Sequence, residues 1–164
     1  MKKSIFTFAM FFSLSISADS FGINYNSWDL DGTTLDGPGL SWSGNNEGFV
    51  YDLDVFKLST GGFSLTANIT ELGYAFGDAS EGALFLGMSS VDSNSSGDSR
   101  ETDAQIGWVK RGHDGTQMKI SVGSDEDNSV KGDFQIPMGN GYAELGFWNN
   151  DGETIWKIGY SWKF

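Results

Sequence analysis

His113 is the only histidine in this 164-residue sequence, and there is no cysteine. It sits in Gly112-His113-Asp114-Gly115, a string of turn-forming residues. Hydrolytic chemistry would need its imidazole within hydrogen-bond reach of a nucleophile or a water. A turn tip offers neither, so His113 reads as an exposed turn residue. Asp52 and Asp54 lie two apart, on one face of an extended strand, and have the residue types of an acid/base pair. Nothing nearby in sequence builds a substrate pocket, and Lys119, Lys157 and Lys163 can supply counter-charge. The expectation is a structural ion network of Asp52, Asp54, Glu71, Lys119, Glu144 and Lys157. Asp29-Leu30-Asp31-Gly32 and Asn149-Asn150-Asp151-Gly152-Glu153 bring oxygen ligands to a glycine turn, as calcium loops do. The EF-hand spacing would require glutamate where Leu40 stands, so both read as polar hairpin tips. No catalytic, metal-ligating or cofactor-binding residue is expected, and the chain reads as not an enzyme.

The composition narrows the partners. Lys and Arg total 10 against 22 Asp and Glu, a formal net charge of −12. Nucleic acid is excluded, because a phosphate backbone is bound through clustered Lys and Arg that displace counterions. Without cysteine there are no disulfides and no thiolate metal sites. Aromatics at 15%, with 23 Gly and only 2 Pro, favour strands and tight turns over helices or disorder. A mean hydropathy of −0.28 suits a soluble protein, and equally a transmembrane barrel, which is half polar by construction.

The elements that would position these residues begin after an N-terminal leader. Met1-Lys2-Lys3 precedes the apolar stretch Ile5 to Ile16, and small residues follow at Ser17 and Ala18. This reads as a secretory signal over residues 1–18, cut after Ser17 or Ala18, leaving 19–164 as one exported domain. From Phe21 onward the apolar period is two, with turn residues recurring between runs. Rows such as Phe21-Ile23-Tyr25, Phe49-Tyr51-Leu53-Val55, Leu84-Leu86-Met88 and Trp156-Ile158-Tyr160-Trp162-Phe164 alternate with small or polar residues. Ten strands result, the second (Leu40 to Ser43) being the shortest. After Leu65-Ala67-Ile69 the phase slips to Leu72-Tyr74-Phe76, which predicts a bulge near Thr70-Glu71.

The row opposite the apolar one holds the acids and lysines named above, and aromatics gather at strand ends. Both features place the apolar row toward lipid and the charged row toward the axis of an all-β, antiparallel, up-and-down transmembrane β-barrel of ten strands, or of eight. Trp28, Trp42, Tyr74, Phe76, Trp108 and Trp148 are the expected membrane-interface aromatics. One set of connections is short: Asn45 to Gly48, Gly77 to Gly82, Gly112 to Gly115 and Gly139 to Gly141. The other is mostly longer and acidic: Asp29 to Gly37, Asp92 to Asp103, Ser124 to Gly132 and Asn149 to Glu153, with Ser59 to Gly62 the small exception. Short turns belong on the periplasmic side and longer loops outside.

The closing run Trp156-Lys157-Ile158-Gly159-Tyr160-Ser161-Trp162-Lys163-Phe164 resembles the C-terminal strand of Gram-negative outer-membrane β-barrel proteins, the small barrels and porin-like proteins of that envelope. Leu72 to Asp78 and Pro137 to Gly141 resemble strands entering periplasmic turns. The resemblance implies that Trp156, Ile158, Tyr160, Trp162 and Phe164 form a barrel-assembly signal. It implies an integral outer-membrane location, reached through the secretion translocon, signal peptidase, periplasmic chaperones and the barrel-assembly machinery. Outer-membrane lipid and lipopolysaccharide become partners. The fold names no substrate, since this architecture hosts many functions. A non-catalytic barrel with a side-chain-filled lumen, serving envelope structure or surface interaction, is expected. A narrow cation-favouring channel for small solutes and a soluble periplasmic lipocalin-like barrel are the alternatives. The last requires Ile158 and Trp162 to face inward and Lys157 outward.

Overall fold

In the computed structural model the described residues are 20–30, 32–46, 48–94, 99–124, 129–150 and 153–164. The expected signal segment and its cleavage point lie outside them. Alternating rows of β-branched or aromatic and small residues form ten strands: β1 (Ser20–Leu30), β2 (Thr33–Asn46), β3 (Phe49–Thr60), β4 (Phe63–Phe76) and β5 (Ala83–Ser93). β6 (Ser99–Arg111), β7 (Gln117–Gly123), β8 (Val130–Met138), β9 (Gly141–Asn150) and β10 (Glu153–Lys163) complete the set. Each strand pairs antiparallel with its sequence neighbours, and β1 pairs with β10. The sheet therefore closes, and no strand is left with an unpaired edge.

Turn chemistry fixes the hairpins. Between β3 and β4 only Gly61 and Gly62 lie outside the ladder, at φ 48° and 100°. Two consecutive positive φ values define the type I′ turn, whose twist matches the flanking strands and which glycine adopts without strain. Pro137 stands next to the end of β8, where the loss of an N–H interrupts little of the ladder. Pro38 lies inside β2, and there the β2–β3 pairing skips from Asp36↔Ser59 to Gly39↔Phe56.

Two expectations about local structure are corrected. β2 is among the longest strands, not the shortest, because Thr33 to Gly37 extend it almost to the Gly32 turn. No bulge interrupts β4: its pairing with β3 runs without a break from Phe49↔Tyr74 to Thr60↔Phe63. The phase slip is real but has another origin. Leu65, Ala67 and Ile69 point into the barrel, whereas Tyr74 and Phe76 point out of it.

Registers also set the tilt. A ladder leaving β2 at Asn45 crosses Val50, Gly73, Gly87, Gln105 and Gly123, and extended through β8 to β10 and β1 it returns to β2 at Thr33. That stagger of about twelve residues over ten strands gives a strand tilt of about 40° and a backbone radius of about 10 Å. A bore this narrow is filled by side chains reaching in from opposite walls.

Candidate functional site

The inward rows of the strands stack into layers along the bore. Nearest the short turns is a polar vestibule, a cavity of about 60 Å³ whose lining includes Ser20, Ser43, Arg111, Gln117 and Gln135. Beside it Val50, Ala75, Ala83, Phe85 and Val109 form a small apolar cluster on β3 to β6.

The next layer is ionic. Glu71, fully buried, meets Lys119 at 2.8 Å and Lys131 at 2.9 Å. Asp52 and Asp133 flank the same two ammonium groups at 3.3 to 3.6 Å. Lys157 binds Asp54 at 2.9 Å and reaches Asp133 at 3.6 Å. Lys119 comes from β7 and Lys131 from β8, while Asp52 and Glu71 come from β3 and β4, so these pairs tie opposite walls across the bore. Glu144 is held differently, accepting from Ser41 Oγ at 3.0 Å and from Gln135 Nε2 at 3.0 Å. Gln135 also donates to Ser43 Oγ at 3.1 Å, another bond across the bore. A buried charge is tolerated only when paired or well hydrogen-bonded; here the lysines and their acids are ion-paired, and Glu144 is hydrogen-bonded.

Above the ions, toward the loops, the interior turns apolar. Trp28, Leu35, Phe56, Leu58, Leu65, Ala67, Ile69, Val91, Trp148 and Ile155 form one buried cluster. It plugs the loop end of the barrel.

The outward face carries the complementary pattern. Ile158 is 61% exposed and Trp162 41%, while Lys157 points inward to Asp54. That is the reverse of what a ligand-binding soluble barrel needs. Exposed large apolar side chains occur on every strand, among them Ile23, Leu40, Leu86, Ile106, Ile136 and Leu145. Aromatic pairs lie at the turn end: Phe21 with Trp42 at 5.1 Å, Tyr74 with Phe76 at 4.9 Å, and Tyr160 with Trp162 at 5.2 Å.

The sequence-derived site residues are distributed among these layers. All six expected network residues are inward and buried or nearly so, five of them in the ion pairs and Glu144 beside them. Lys131 and Asp133 complete the network. Both fell in or beside the expected loop Ser124 to Gly132, and β8 in fact begins at Val130. Alternation with Val130, Gly132 and Phe134 is the signal that could have placed them. Trp42, Tyr74, Phe76 and Trp108 are on the outward face, but Trp28 and Trp148 are not interface aromatics. Both point inward and are buried in the apolar plug, at 6% and 7% exposure. The five residues of the expected assembly signal all belong to the outward row of the closing strand, with Phe164 just past its end. His113 is exposed in the turn between β6 and β7. Two turn carboxylates are fixed locally: backbone donation from Ser80 to Asp78 and from Thr116 to Asp114 holds each below the usual carboxylate range. Among the described residues no group of three His, Asp or Glu is placed to hold a metal ion. No protein-family model, curated protein or solved structure matches this chain.

Proposed function

We propose that this protein is a non-catalytic integral outer-membrane β-barrel whose lumen is filled by its own side chains, serving envelope structure or surface interaction. The observation that carries the reading is the apolar belt. Large apolar side chains face outward on all ten strands of a closed barrel whose facing interior is charged. A soluble protein rarely exposes a contiguous apolar patch of more than a few hundred Å². A belt encircling the whole molecule is stable when hydrocarbon covers it, and closure satisfies the backbone there without water. Bonds crossing the bore and the plug above them favour a filled tube over a channel. The C-terminal row supports export to the outer membrane through the barrel-assembly machinery.

Membrane extraction tests this reading. The protein is expected to stay with the membrane through carbonate and urea washes, and to show heat-dependent gel mobility after extraction in detergent. Release into the wash as a folded protein would overturn it.

A further inference from the structure

We propose that lipid covers only the turn-side part of this barrel, and that the loop-side part stands beyond the bilayer as a water-exposed collar with its own apolar core. The inference rests on the outer-membrane reading and adds to it where the hydrocarbon ends.

The argument is an inversion of polarity along one tube. On the outward face six of the ten strands pass from apolar to polar residues on the way to the loops: Tyr25 to Ser27 on β1, Val55 to Lys57 on β3, and Leu72 to Thr70 on β4. The same change runs from Met88 to Ser90 on β5, from Ala104 to Thr102 on β6 and from Trp156 to Thr154 on β10. These positions differ in sequence depth, yet they correspond in space. Each strand is displaced along the barrel axis relative to its neighbour by the stagger of the registers. With that displacement included, all six transitions fall within about 5 Å of one plane normal to the axis. Below the plane the belt is about 20 Å tall, near the apolar band of about 25 Å found on barrels of this kind. Above it the walls of β3 and β4 continue for about 10 to 15 Å.

Inside, the change occurs at the same height and in the opposite sense. Asp54 gives way to Phe56 on β3, Glu71 to Ile69 on β4 and Lys157 to Ile155 on β10. Just below the plane the ion-paired interior therefore faces apolar exterior, and above it apolar interior faces polar exterior, while the small apolar cluster of Val50, Ala75, Ala83, Phe85 and Val109 lies deeper, near the turns. The upper segment has the inside-out arrangement of a water-soluble barrel, with Lys57, Ser59, Thr66 and Asp92 exposed outside it. Hydrocarbon around that segment would strip water from those side chains, which is costly for polar and charged groups. Phe63, beside the Gly61–Gly62 turn, is the one large apolar side chain exposed above the plane among the described residues. The occupant of the belt is thus bilayer hydrocarbon, and the collar belongs to water. A soluble partner can reach the walls of β3 to β5 as well as the hairpin tips.

Because the wild type has no cysteine, single cysteines report accessibility directly. Lys57→Cys, Thr66→Cys and Asp92→Cys mark the collar, and Leu86→Cys, Ile106→Cys and Ile158→Cys mark the belt. Each variant is refolded into phosphatidylcholine vesicles and treated with a charged maleimide, with the denatured chain giving full labelling. Collar sites are expected to react at least about tenfold faster than belt sites, which hydrocarbon shields. Shielding of all six would overturn the collar while leaving the membrane reading intact. Labelling of all six would overturn the membrane reading itself. A second measurement covers variants that refold poorly: doxyl-lipid quenching of the wild-type tryptophans, expected to reach Trp108 and Trp162 and to spare Trp28 and Trp148.

Discussion

Glu71 and Glu144 are both buried carboxylates on inward rows, yet they differ in what they would leave behind. Glu71 is the only partner within 3 Å of either Lys119 or Lys131 among the described ion pairs. Neutralising it leaves two buried ammonium groups with only the longer contacts to Asp52 and Asp133. Removing one partner of a buried ion pair costs about 3–5 kcal/mol, because the remaining charge stays desolvated. Glu144 accepts from a hydroxyl and an amide instead, and a glutamine there keeps acceptor capacity while relieving a buried negative charge. Glu71→Gln is therefore expected to destabilise by about 3–5 kcal/mol and Glu144→Gln by about 1 kcal/mol or less. Urea unfolding in detergent micelles reads both. Equal effects would mean that the ion layer is not organised around Glu71.

At the scale of the element, period-two alternation made ten strands and their inward charges legible, because one side of each strand is uniform over most of its length. It stopped being sufficient where the uniform side changes. Phe56 and Leu58 on β3, and Leu65, Ala67 and Ile69 on β4, are apolar and inward, so a rule that sends every apolar row outward reads a change of environment as a bulge. Trp28 and Trp148 escape the rule for the same reason: near a strand end, tryptophan suits a membrane interface and a plug equally well in sequence. Lys131 was hidden differently, by a run of acids just before it that looked like loop. The plug now distinguishes tryptophans that composition cannot. Trp148→Ala empties a buried site and is expected to cost about 3–5 kcal/mol. Trp156→Ala, at an outward site 60% exposed, is expected to cost under about 1 kcal/mol in micelles. Thermal or urea midpoints of the two variants check this, and comparable losses would remove the distinction between plug and belt.

For the whole molecule the question is whether anything passes through. Three layers lie in series along the bore, and each obstructs by a different means. The vestibule is open but small, at about 60 Å³, and a pocket of about 20 Å³ lies deeper, lined by Asp54, Phe56, Lys131 and Lys157 among others. The ion layer closes the middle by linking opposite walls, Lys119 and Lys131 to Glu71 and Lys157 to Asp54. An ion moving through would have to separate these pairs in a poorly hydrated interior, where each separation leaves charges without compensation. The plug closes the loop end with aromatic and aliphatic side chains that offer a permeating ion no ligands. An acidic rim would concentrate cations at the mouth, but concentration at a mouth does not create a path. Refolded protein in planar bilayers is accordingly expected to give no stable conductance steps under applied voltage. Discrete, cation-favouring steps would show that the layers open in concert, and would convert the filled tube into the narrow channel that the acidic loops alone suggest.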